Sequence, residues 1–164
     1  MARQSEHNAI RVFFEPAIRR FFHAYWRLTR GLTIGVRALV LDEQGRVFLV
    51  KHSYVAGWHM PGGGVEAGET LVAALGRELF EEGNIELDAP PRLYAIYYNR
   101  RVARRDHVAL YVVRAFRQIA PPQPNHEIIA HGFFAPDALP EGTTRATRAR
   151  IAEVLDGQAV AEFW

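Results

Sequence analysis

The sequence predicts an α/β domain in which a mixed β-sheet lies between helices. Three observations carry that prediction. Short apolar runs rich in β-branched residues recur along the chain, two stretches in its middle and end have helical signals, and the two kinds of segment interleave without regular βαβ alternation. The last point argues against a doubly wound parallel sheet. At 164 residues, one domain with a single hydrophobic interior is the simplest expectation.

Composition narrows the function classes. With 49% apolar and 23% charged residues, neither disorder nor a fibrous architecture is indicated. The absence of cysteine excludes disulfides, thiolate metal sites and cysteine nucleophiles, and it fits a reducing cytosol. A net charge of +2 argues neither for nor against nucleic acid. Arg37, Asp42, Arg46 and Lys51 interrupt the most apolar region, so no transmembrane segment is expected. The N-terminus lacks the pattern of a signal peptide, and a cytoplasmic protein is the default.

The chain divides into an N-terminal extension, residues 1–30, and a domain over residues 31–164. From Val12 to Thr29, Phe13, Phe14, Ala17, Ile18, Phe21, Phe22, Tyr25 and Trp26 recur at helical spacing, and Arg19, Arg20, Arg27 and Arg30 lie elsewhere. Three readings of this amphipathic helix stand: packing on the domain or as a homodimer interface, lying on a membrane surface, or binding a partner.

Leu32–Leu41 and Arg46–Val50 read as two strands joined by Asp-Glu-Gln-Gly, which is good hairpin chemistry. Residues 52 to 61 then lead to a glycine loop, bringing Tyr54, Trp58 and His59 near it; His52 and His59 read as structural rather than catalytic. A helix begins at Glu69 or Thr70. Beyond Pro90 and Pro91, Arg92–Tyr98 and His107–Phe116 are predicted strands, His131–Phe134 a short one, and Thr143–Leu155 a closing helix capped by Thr143 or Thr144.

The stretch Gly63–Ile85, GGVEAGETLVAALGRELFEEGNI, is the chemical centre of the sequence. Adjacent glycines let backbone groups approach a ligand closely. Leu71, Leu75 and Leu79 form a buried stripe, and at 100° per residue Glu78 and Glu82 fall within about 20° of Leu71. Solvated glutamates normally lie opposite the leucines, so these carboxylates are turned toward the protein or a cleft. Glu78, Glu81 and Glu82 can converge within one turn, where a hard divalent cation, Mg²⁺ or Mn²⁺, would relieve their repulsion. Gly76, inside the helix, suggests close packing against a neighbouring strand.

On these residues the chain resembles the Nudix hydrolase family, whose box reads G-x5-E-x7-R-E-U-x-E-E-x-G-U with U a bulky aliphatic. Gly63, Glu69, Arg77, Glu78, Leu79, Glu81, Glu82 and Ile85 fall on it in register, and Asn84, tolerant of a left-handed helix end, replaces one glycine. The resemblance covers roughly Leu32 to Leu155. It implies a Nudix-type αβα sandwich and Mg²⁺-dependent hydrolysis of a pyrophosphate bond in a nucleoside diphosphate linked to another moiety. It further implies that Glu78, Glu81 and Glu82 are catalytic metal ligands aided by a carbonyl of the glycine loop, with Gly63, Glu69 and Arg77 as structural support. The alternative is a catalytically inactive nucleotide-binding or regulatory module on the same fold.

Outside the box, Glu127 lies in the late-loop region where the family often carries a catalytic base or further ligand. Tyr54, Trp58, Tyr97 and Tyr98 are candidates to stack on a substrate, or packing residues. Arg100 and Arg101, on the turn Asn99–Asp106, are candidate phosphate contacts, or a solvated turn. The expected substrate is a small nucleotide, either a nucleoside triphosphate or an ADP-sugar, with an RNA 5′ end as a further option.

Overall fold

A computed structural model describes residues 31–122 and 126–164; the N-terminal helix expected over Val12–Thr29 lies outside them. Strands β1 (Thr33–Val40), β2 (Val47–His52), β3 (Trp58–His59), β4 (Ile85–Leu87), β5 (Arg92–Tyr98), β6 (Asp106–Val113), β7 (Phe116–Gln118) and β8 (Ile128–Phe134) accompany two helices, α1 (Leu71–Gly83) and α2 (Arg145–Leu155).

The strand sequences are apolar almost without alternation because both faces of the sheet layer are covered. Val36, Ala38 and Val40 of β1, Phe48 and Val50 of β2, and Ala109, Tyr111 and Val113 of β6 point to one core, which α1 closes with Ala74, Leu75 and Leu79. The residues between them, Leu39, Val47, Leu49, Leu110 and Val112, point to a second core with Ile151 of α2 and Tyr97. The period-2 alternation of strand side chains thus divides one apolar run between two cores. Leu75 and Leu79 are fully buried, each contributing about 1.5–3 kcal/mol by removal from water.

The sheet is mixed. β1 pairs parallel with β6 and β6 antiparallel with β5, whereas β2 pairs antiparallel with both β3 and β8. The turn between β1 and β2 forms as its chemistry suggests, with the Asp42 carboxylate accepting from the Gln44 and Arg46 backbone N–H groups. The expected β1–β2 hairpin does not extend beyond it: one bridge, Leu41 to Val47, joins the strands before they part into different sheets. Turn chemistry is local, while the partners β6 and β8 come from far along the chain and bury more surface.

Both helices are capped by threonine. The Thr70 hydroxyl accepts from the Ala73 N–H and the Thr144 hydroxyl from the Thr147 N–H. Asn84 ends α1 in the left-handed region, φ 49°, its N–H donating to the Phe80 carbonyl at 2.9 Å. Gly76 does not pack against a strand. A Cβ there would meet nothing within 4 Å, so the close-packing expectation is corrected. Among the described residues no helix is long and apolar enough to cross a membrane.

Candidate functional site

The glycine loop lies beneath β1. Its Gly62 has φ 137°, and a Cβ there would stand 2.1 Å from the Val36 carbonyl oxygen; at Gly63 it would stand 2.3 Å from Glu78 Oε1. At Gly62 only glycine allows this approach, whereas at Gly63 a side chain would push the Glu78 carboxylate aside. The Gly62 N–H donates to Glu82 Oε2 at 2.7 Å, and the Gly63 carbonyl accepts from Val36 N–H at 2.9 Å, so the loop is tied to both α1 and β1.

Helical phase sets the carboxylates. Glu82 is 5% exposed, and the Glu78 side chain is 13% exposed while that of Glu81 is 56%. All three line a cavity of about 460 Å³ with Glu127 and Ile128. Arg77 sits at the rim of this group. Its Nε donates to Glu69 Oε1 at 3.1 Å, its Nη1 to Glu78 Oε1 at 2.8 Å and Glu81 Oε2 at 3.4 Å, and its Nη2 to the Gly64 carbonyl at 3.1 Å. Hydrogen bonding from Arg77 holds the Glu69 carboxyl below its usual range.

Burial pushes the Glu82 carboxyl up to about 7, with the Gly62 N–H and the charge of Arg37 offsetting only part of the penalty. A desolvated carboxylate beside two others is short of positive charge. The donor set is oxygen-rich and suits a divalent cation, and one donor atom each from His52, Glu82 and Glu127 lie within 4.8 Å of one another.

Glu127 reaches the cavity because β8 starts irregularly. His52 pairs with Ile128 after a register shift, which turns the chain ahead of β8 toward the acidic pocket. The Ser53 N–H donates to the Glu127 carbonyl and the Ser53 hydroxyl to that of His126, while the Tyr54 hydroxyl donates to Glu127 Oε1 at 2.9 Å. Partial burial and that bond push the Tyr54 phenol up to about 12, so it remains a donor although most of the ring is exposed.

The remaining candidates are placed differently. Trp58 packs edge-on against Phe134, its backbone paired to Gly142 and Thr144 ahead of α2. Arg100 and Arg101 are exposed on the β5–β6 turn; Arg100 lies over the Phe163 ring, and Arg101 lines a separate cavity with Arg145 and Trp164. Tyr97 is fully buried, its hydroxyl donating to Glu153 at 2.7 Å, which rules out stacking on a substrate. Tyr98 stacks on His107.

Two further residues flank the pocket: Arg37, which sequence reasoning passed over, and His52, which it placed near the loop in a structural role. Arg37, from β1, donates to the Met60 carbonyl at 2.9 Å, and its charge acts on both Glu82 and His52. His52 is buried, and that burial together with Arg37 holds its imidazole below the usual range and neutral. A signal for His52 was present: Phe48, Val50 and His52 share one face by period 2, which is the face that meets α1.

The NUDIX domain family model matches residues 31–155. A MutT-like protein from Streptomyces ambofaciens is 28% identical over 125 residues, 76% of this chain and 78% of that protein. The 8-oxo-dGDP phosphatase NUDT18 of Homo sapiens is 37% identical over 65 residues, but these span 38% of this chain and only 20% of that protein. The crystal structure of a MutT NUDIX hydrolase from Burkholderia pseudomallei superposes with a TM-score of 0.64 at 28% identity, covering 74% of this chain and 97% of that one.

Proposed function

The chain belongs to the Nudix hydrolase family, and we propose that it uses the carboxylate cavity to hydrolyse a pyrophosphate bond in a nucleoside diphosphate linked to another moiety. The observation that supports this most is the convergence of Glu78, Glu81, Glu82 and Glu127 on one cavity under a glycine loop. A divalent cation, Mg²⁺ or Mn²⁺, would be held by Glu78, Glu81, Glu82 and Glu127, where it would neutralise diphosphate oxygens and lower the pKa of a water.

The protein's own groups do the rest. Arg77 fixes Glu69, Glu78 and Glu81 in one array, so the carboxylates stay assembled despite their repulsion. The Gly62 N–H orients Glu82. Glu127, positioned by the Tyr54 hydroxyl, would accept a proton from the attacking water on a carboxylate oxygen not engaged by the cation. The water oxygen bonds to one phosphorus, and the bridging P–O bond breaks with its electron pair leaving on the departing phosphate oxygen. Tyr54, exposed at the mouth, is the aromatic best placed to meet a substrate.

The substrate belongs to the class of nucleoside triphosphates, ADP-sugars and RNA 5′ ends, with oxidised guanine diphosphates added by the human relative. A cytoplasmic setting agrees with such substrates. Phosphate or nucleotide release from that panel, with and without Mg²⁺ and beside Glu82→Gln, tests the reading. Metal-dependent turnover of at least one substrate, lost in Glu82→Gln, is expected. No turnover of any would favour a binding or regulatory module instead, and equal turnover in the variant would overturn the assignment of catalysis to this cavity.

A further inference from the structure

His52 ends β2 on the face that carries Phe48 and Val50, and it is 4% exposed. Its Nε2 lies 3.5 Å from Glu82 Oε1, long for a hydrogen bond. Its Nδ1 has no hydrogen-bond partner among the described residues. A buried ring nitrogen without a partner is costly and calls for an explanation.

Whichever nitrogen is turned to the carboxylates, the spacing of its neighbours supplies a role for the ring. Donor atoms of His52, Glu82 and Glu127 lie within 4.8 Å of one another. Ligand bonds of about 2.1 Å put octahedral neighbours about 3 Å apart and opposite donors about 4.2 Å apart, so the cluster suits a single ion. Tyr54 and Ser53 hold Glu127 against this cluster.

We infer that His52 is a nitrogen ligand of the bound cation, making a mixed nitrogen and oxygen site that favours Mn²⁺ over Mg²⁺. The inference rests on reading the pocket as a cation site and adds a ligand from β2, outside the loop and helix. Mg²⁺ prefers oxygen donors and retains its waters, whereas imidazole suits first-row transition ions. The competing role for His52 is to orient Glu82 by a hydrogen bond, with no bond to the ion.

Pulsed electron paramagnetic resonance of the full chain loaded with Mn²⁺ separates the two roles. A bound imidazole gives ¹⁴N modulation that ¹⁵N-histidine labelling replaces, a test that leaves the sequence intact. The modulation is expected in the native chain and is expected to vanish in His52→Gln. There the Mn²⁺ affinity should fall by more than the Mg²⁺ affinity. Bound Mn²⁺ without histidine modulation, or with modulation that survives in His52→Gln, would overturn the inference and leave the carboxylate site standing. Failure of the native chain to bind Mn²⁺ at all would overturn both.

Discussion

The arginine–glutamate clusters on α2 and on α1 differ in a way that separates a structural ion network from a site. Arg150 and Glu153, on α2, are both almost fully buried. Arg150 donates to Glu153 and to the Phe163 carbonyl and lies 4.3 Å from the Tyr97 ring centroid, while Glu153 also accepts from the Tyr97 hydroxyl and the Ala161 N–H. One cation meets one anion, and the carboxylate is fully engaged. On α1, Arg77 meets three carboxylates, Glu69, Glu78 and Glu81, and the adjoining cavity adds Glu82 and Glu127. The first cluster is balanced in charge and shut off from solvent, although Arg150 Nε has no hydrogen-bond partner among the described residues. The second is open, acidic and incomplete without a cation from outside.

Breaking the balanced cluster has the largest expected effect on stability. Arg150→Met leaves Glu153 buried without its partner, at a cost of about 3–5 kcal/mol, read as a lower urea midpoint. Cation binding at the acidic pocket should be unchanged; a parallel loss would show that the two clusters are coupled.

The pH response of the metal-free protein is a second way to tell them apart. Glu82 has its carboxyl raised from the ordinary 4.5 to about 7 by burial, so the native state keeps a proton that the unfolded chain has released. Its contribution to stability is therefore full below about pH 4.5 and is lost as pH rises through about 7, a fall on the order of 3 kcal/mol. Urea unfolding with chelator present across that range should show the fall in the native chain and a flatter profile in Glu82→Gln. A fall of equal size in the variant would assign it to other groups.

Removing Glu82 should also lower kcat/KM by about a hundredfold or more, equivalent to about 2.7 kcal/mol, whereas Arg150→Met should leave the activity of the folded fraction intact. The smallest effect belongs to Gly76. Because a Cβ there meets open space, Gly76→Ala should stabilise the protein by about 1 kcal/mol, seen as a raised thermal midpoint. Destabilisation would mean that the helix needs the glycine for a reason other than packing.

Much of this was legible in the sequence because periodicity reports which face of an element is buried. The phase of Glu78 and Glu82 against Leu71, Leu75 and Leu79 placed both carboxylates inward, as found, and the left-handed end at Asn84 followed from its residue type. The β1–β2 hairpin was misread because Asp42 and Gly45 specify a turn and say nothing of what the strands pair with beyond it. Arg37 was missed and His52 read as structural for a related reason: each is a single polar residue in an apolar strand, and its role depends on helix α1 and the approach to β8, brought near only by the fold. Tyr97 looked like a stacking candidate because an aromatic beside a turn carries no mark of which core its strand faces.

The most direct test of the contrast between the clusters is the stabilisation produced by a divalent cation at about pH 8, where Glu82 is ionised. Unfolding midpoints are compared with and without Mg²⁺ or Mn²⁺ for the native chain, Glu82→Gln and Arg150→Met. At about 100 times its Kd, a cation bound only by the native state adds about 2.7 kcal/mol. That gain should appear in the native chain and in Arg150→Met and be largely absent from Glu82→Gln. Equal stabilisation of Glu82→Gln, or none in the native chain, would contradict the assignment of the acidic pocket as a cation site.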